Sequence, residues 1–124
     1  MSSRYVRQTV LPDVGDAGQA RLAAASVLVI GAGGRGCPVL QYLAGAGVGR
    51  LAIVDHDVVE ETNLHRQPLY AMLDIGKPKV EAARAALRRF NPDVNVKAHA
   101  QRLTPQNAAR VVADADVVVD AADS

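Results

Sequence analysis

Three cations and one amide, Arg7, Arg66, Lys79 and Asn63, accompany a glycine-rich turn in this 124-residue chain. The turn is Gly31-Ala32-Gly33-Gly34-Arg35-Gly36, and it follows the apolar run Val27-Leu28-Val29-Ile30. Glycines in that order let a strand turn sharply into a helix, bring backbone close to a phosphate, and pack the new helix against the strand. The free N–H groups of the helix start then face an anion, and the helix dipole favours it. Gly31, Gly33, Gly34 and Gly36 are therefore candidate phosphate contacts. Asp55 ends a second apolar run, about 20 residues past the turn, the interval at which an acid accepts hydrogen bonds from ribose hydroxyls. Asp57 is the weaker candidate and reads as a cap on the turn that follows.

An NAD-binding module explains the chain up to Asp55. Asn63, Arg66 and Lys79 fit it less well. Several cations beside one phosphate cradle suit a triphosphate, because charge must be offset as a phosphoryl group reacts. Asp123, at the end of the last apolar run, is an oxygen donor for Mg²⁺. The histidines His56, His65 and His99 are scattered, and none is assigned a catalytic role.

These residues must be carried by alternating strands and helices. Apolar residues make up 49% of the chain with few aromatics, which suits small helices packed on a buried parallel sheet. Strands are expected at 26–30, 51–54, 94–98 and 117–119. Helices are expected at 13–25, 35–46 and 79–90, and from a Thr104 cap with Pro105 in the first turn to about 113. Residues 58–75 read as loop with one short helical turn. Right-handed crossovers then give an α/β, Rossmann-like parallel sheet with strand order 3-2-1-4 and helices on both faces. The switch point lies between strands 1 and 4, where ligands bind outside the carboxyl ends. The whole of 1–124 reads as one nucleotide-binding domain, with an amino-terminal arm and helix over 1–25.

Composition excludes other classes. A formal net charge of +1 makes no electrostatic case for nucleic acid. No apolar stretch is long enough to span a membrane, and no signal peptide is visible. One cysteine excludes an internal disulfide and fits a cytoplasmic location. Without a Cys-x-x-Cys pair a zinc site has no support within the chain.

Arg4-Tyr5-Val6-Arg7-Gln8, Gly18-Gln19, the turn Gly31 to Gly36, Tyr42 to Gly49, Asp55-His56-Asp57, Asn63-Leu64-His65-Arg66-Gln67, Gly76-Lys77-Pro78-Lys79, Asn91-Pro92 and Asp120 to Asp123 occur in this order. Together they resemble the amino-terminal half of the E1-like ThiF/MoeB/HesA adenylyltransferases. The resemblance implies ATP and Mg²⁺ as cofactors. It implies adenylylation of the C-terminal glycine of a ubiquitin-like sulfur-carrier protein, of the molybdopterin or thiamin type. It also implies roles for residues. Gly34 approaches the phosphates and Asp55 holds the ribose. Asn63 and Arg66 contact phosphates, Lys79 stabilises developing charge, and Asp123 binds the metal. Arg7 would be an arginine finger reaching a partner subunit in a homodimer.

Three features depart from that pattern. Arg35 stands where the family commonly has leucine. Ser124 follows Asp123 where sulfur-carrier members usually have asparagine, a cue that instead resembles the branch dehydrating threonylcarbamoyladenosine in tRNA. The chain is also shorter than family members, which suggests truncation. Cys37 reads as a small buried packing residue and no substitute for the cysteine used in sulfur chemistry. A nucleotide-binding module without catalysis, or a catalytically incomplete fragment, remains the alternative reading.

Overall fold

The computed structural model describes residues 3–122. Its four strands, β1 (Ser26–Ile30), β2 (Arg50–Val54), β3 (Asn95–His99) and β4 (Val117–Asp120), form one sheet in the order β3-β2-β1-β4. All three pairings are parallel. This is the expected Rossmann-like topology, and its register aligns the strand ends. Ile30 lies opposite Val54 and Asp120, and Val54 lies opposite His99. One rim of the sheet therefore carries the residues that follow all four strands.

A short helix α1 (Val6–Thr9) and α2 (Gly15–Ala24) precede the sheet. Helix α3 (Gly36–Ala46) joins β1 to β2, α4 (Lys79–Phe90) joins β2 to β3, and α5 (Ala108–Val112) joins β3 to β4. Strand residues alternate between the two faces. Val27, Val29, Leu51 and Ile53 meet Leu40 and Ala44 of α3 and Val80, Ala83 and Leu87 of α4 in one buried cluster. Leu28 and Val54 face the other way, against Val111 of α5. Val80, Ala83 and Leu87 recur at helical spacing on one side of α4, which is why that segment's bounds were legible. β4 is an edge strand, so Val117 and Val118 stay half-exposed despite their apolar run.

β1 and α4 have the expected bounds, the other elements shift by one or more residues at an end, and two of the shifts have a visible cause. β3 starts one residue later, because Val94 closes a turn onto Asn91, its N–H donating to the Asn91 carbonyl at 3.2 Å. α5 begins at Ala108, and Pro105 precedes it in a turn. There Thr104 and Asn107 each bond the other's backbone N–H through their side chains, at 3.3 and 2.8 Å. Such side chains offer backbone groups an alternative to the helix ladder.

The amino-terminal arm is docked. Gln8 Nε2 donates to Gln19 Oε1 at 2.8 Å and to the Ala46 carbonyl at 3.0 Å. Asn91 Nδ2 donates to the Tyr5 hydroxyl at 2.8 Å. Ala46 ends α3 and Asn91 caps the end of α4, so the arm sits at the rim where the strands begin. α3 spans roughly 16 Å at 1.5 Å per residue, which separates that rim from the glycine turn. Among the described residues no helix is long and apolar enough to cross a membrane.

Candidate functional site

A cavity of about 420 Å³ opens where the strands end. Gly31, Gly33, Lys79, Asp55, His56 and Asp57 line it, together with the loop after β3 and the end of β4. This is the switch point that the strand order predicts.

Backbone closeness explains the turn's composition. Gly31 has φ +99°, and a Cβ there would stand 2.9 Å from the Ala121 carbonyl oxygen. A Cβ on Gly36 would stand 2.0 Å from the Gly31 carbonyl oxygen. Gly36 thus closes the turn on itself, in addition to letting the helix approach the sheet. Its neighbours hold the turn from outside. Asp55 Oδ2 accepts from the Ala32 N–H at 2.8 Å, while Oδ1 accepts from the Asp57 N–H at 2.7 Å. The Tyr70 hydroxyl donates to the Ala32 carbonyl from within the core. Cys37 Sγ lies 3.5 Å from that same oxygen.

The cations then fall around Gly33 and Gly34. Lys79 is only 6% exposed. Its N–H donates to the Asp57 carbonyl at 3.0 Å, and the Val58–Pro78 bridge fixes the start of α4, so its stem lies under the turn. A Cβ on Gly33 would stand 4.0 Å from Lys79 Nζ and 3.6 Å from Gln67 Nε2. A Cβ on Gly34 would stand 3.8 Å from Arg66 Nη1. No described carboxylate pairs with Lys79 or Arg66. The geometry is that of an anion cradle with two cations and a helix N-terminus aimed at it.

Gln67, next to Arg66, adds a residue to which the sequence gives no role. It is 2% exposed, and its Oε1 has no hydrogen-bond partner. An orphaned buried acceptor costs about 1–3 kcal/mol. The atom that Gln67 turns toward Gly33 is Nε2, 3.6 Å from where a Cβ would stand, a donor that an anion at the turn can use. The only signal available in sequence was its place next to Arg66.

The remaining candidates are not brought to this point. Asn63 is half-buried one turn before Arg66, whose N–H donates to the Asn63 carbonyl at 3.2 Å; neither residue borders the cavity, and only Arg66 reaches the turn, at Gly34. Arg7 is exposed on α1, at the opposite rim from the cavity. Asp123 lies outside the described residues. For a hard dication, Asp55, Asp57 and Asp120 supply oxygen donors on the cavity wall, the donor chemistry that Mg²⁺ takes.

Burial pushes the Cys37 thiol above its ordinary range, outweighing the bonds from Leu69 and Tyr70 that act in the opposite sense. Burial, together with Cys37, likewise pushes the Tyr70 phenol up. Both groups therefore stay protonated at neutral pH and serve as braces. Alkylation of Cys37 by iodoacetamide in the folded chain should be slower than in denaturant by about a hundredfold or more. Reaction at the rate of a free thiol would contradict that assignment.

The family model described as the ThiF family matches residues 5–124. The chain belongs to the ThiF family. It is 54% identical over 121 residues to the sulfur carrier protein adenylyltransferase of Thermus thermophilus, covering 98% of this chain and 45% of that protein. It is 56% identical over 121 residues to the bovine (Bos taurus) adenylyltransferase and sulfurtransferase MOCS3, covering 98% of this chain and 27% of that protein. The chain thus spans less than half the length of these ThiF relatives. Among solved structures, the E. coli tRNA N6-threonylcarbamoyladenosine dehydratase TcdA in complex with ATP superposes with a TM-score of 0.90 at 30% identity. That match covers 98% of this chain and 49% of TcdA.

Proposed function

We propose that this ThiF-family chain is the nucleotide-binding part of an ATP-dependent adenylyltransferase. Its acceptor would be the C-terminal glycine of a ubiquitin-like sulfur-carrier protein, in a pathway of the molybdopterin or thiamin type. One observation carries the reading. The nearly buried Lys79, with Arg66 and Gln67, converges on Gly33 and Gly34 at the start of α3. A dinucleotide cradle needs no desolvated lysine there. A triphosphate under attack at its α-phosphorus does.

In the reaction the carrier's carboxylate oxygen bonds to the α-phosphorus of ATP. The bond from that phosphorus to the α–β bridging oxygen breaks, leaving an acyl-adenylate and pyrophosphate. No proton need be removed, since the nucleophile is already ionised at neutral pH. The chain's task is to hold anions together. Lys79 and Arg66 would oppose the charge on the phosphates, with Asn63 assisting and the backbone at Gly31, Gly33, Gly34 and Gly36 approaching them. Asp55, already fixed by two backbone N–H groups, would offer its remaining lone pairs to the ribose. Mg²⁺, when bound through Asp123 and oxygen donors such as Asp120, would neutralise phosphate charge. Arg7 sits at the opposite rim from its own cradle, which supports action on a second copy's site in a homodimer. A cytoplasmic protein of this kind would have no need of a membrane or of nucleic acid.

The 54% identity to a sulfur-carrier adenylyltransferase, against 30% to the tRNA dehydratase, ranks the sulfur-carrier reading first despite the Asp123-Ser124 cue. Arg66→Ala tests the cradle. Its side chain is exposed and its partner is a ligand, so the variant should unfold at the parent's temperature. ATP affinity should fall about tenfold, the loss of one charge-assisted contact. Unchanged affinity would remove Arg66 from the site.

A further inference from the structure

The loop after β3 contributes a cation to the cavity that neither the motif nor the cradle employs. Arg102 borders the same space as Asp55, on the far side from Gly33. Strand order explains the distance. Phosphates belong at the turn after β1, the acid follows β2, and Arg102 follows β3. Neighbouring strands lie about 4.8 Å apart, so the start of this loop is roughly 10 Å along the rim from the phosphate cradle. The guanidinium returns toward β2, where Nη2 lies 3.1 Å from His56 Nε2. His56 directly follows Asp55. No described carboxylate pairs with Arg102.

Its stem is held independently of the side chain. The Gln101 N–H donates to the His99 carbonyl at 2.9 Å, and Asn107 Nδ2 donates to the Arg102 carbonyl at 2.9 Å. Beside it the cavity wall turns apolar. Ile30, Val54 and Leu103 line it, and Leu103 packs with Leu28 and Val111. An apolar wall next to a planar cation suits a heteroaromatic ring better than another phosphate. A guanidinium stacks on ring faces and donates to ring nitrogens and ribose oxygens.

We propose that Arg102, poised by His56, grips the nucleoside end of the bound nucleotide, its base and ribose, and takes no part in holding the phosphates. The proposal rests on the ATP reading and adds a specificity-determining residue to it.

Calorimetric titration of the full chain with Mg·ATP, AMP and inorganic tripolyphosphate tests it. Arg102→Ala should weaken ATP and AMP by the same factor, roughly fivefold to tenfold, and leave tripolyphosphate unchanged. Arg102→Lys should recover little of the loss, because an ammonium lacks the plane that stacks. The thermal midpoint should not move, since Asn107 still binds the loop's backbone. Unaltered AMP affinity in Arg102→Ala would overturn the proposal, as would an equal loss for tripolyphosphate. A parent chain that binds no ATP would overturn the adenylyltransferase reading and this proposal with it. A parent that binds ATP beside an unaffected Arg102→Ala would overturn the proposal alone.

Discussion

Replacing Lys79 by methionine is expected to weaken ATP binding by about tenfold to a hundredfold while leaving the fold intact. The two halves of that expectation have separate causes. The stem of Lys79 is packed beneath the glycine turn, and methionine fills a similar volume with an apolar, adaptable chain. The ammonium contributes nothing to an ion pair among the described residues, so its removal breaks no internal bond. Desolvating a charge without a partner is costly, and the variant should unfold at the same temperature or slightly above it. The charge matters only when a phosphate arrives near Gly33. A charge-assisted hydrogen bond there contributes about 1.5–3 kcal/mol. Titration calorimetry and thermal unfolding on the same preparation separate the two effects. Parent-like ATP affinity in the variant would show that the buried lysine faces no phosphate, and the triphosphate argument would fall with it.

A single methyl group on Gly36 should be more damaging still. A Cβ there would lie 2.0 Å from the Gly31 carbonyl oxygen and 3.9 Å from the Ala121 side chain. The first contact is with backbone that cannot swing away. Gly31 is fixed by its own N–H, which donates to the Val54 carbonyl at 2.9 Å, and Asp55 and Tyr70 hold Ala32 beside it. The strain must move the start of α3 relative to β1. Gly36→Ala should therefore lose about 3 kcal/mol or more, at the upper end of overpacking effects. That corresponds to a fall of roughly 10 °C in Tm for a chain of this size, together with loss of nucleotide binding. Gly34→Ala is the control, because its nearest neighbour would be Arg66 Nη1 at an ordinary 3.8 Å. That variant should fold normally. Equal Tm values for Gly36→Ala and the parent would mean that the turn is not closed as described.

The fold was legible where one physical signal dominated. β1 is a run of apolar residues beside a glycine turn, and α4 carries apolar residues at helical spacing between Pro78 and Asn91. Both were bounded correctly from sequence. The start of β3 and the first turn of α5 were not, because side chains such as Thr104 and Asn107 redirect backbone hydrogen bonds in ways that periodicity does not encode. The site divides similarly. Gly31, Asp55 and Lys79 stand on strand and helix ends, whose positions follow from topology, and they meet at the cavity. Gln67 and Tyr70 come from an irregular segment between β2 and α4, and only its three-dimensional path reveals a buried orphaned amide and a phenol gripping Ala32. The second task of Asp55, bracing the turn through two backbone N–H groups, left no trace in sequence spacing. Arg102 and His56 are 46 residues apart, and no local pattern joins them. Arg7 belongs to the opposite rim, a placement that spacing cannot supply.

Under the proposed function the cradle at Gly33 and Gly34 takes a triphosphate in preference to a dinucleotide. Calorimetric titration of the purified chain with Mg·ATP, and separately with NAD, tests it most directly. Saturable binding of Mg·ATP with little or no heat from NAD is the predicted result. Tighter binding of NAD, or binding of neither, would contradict it.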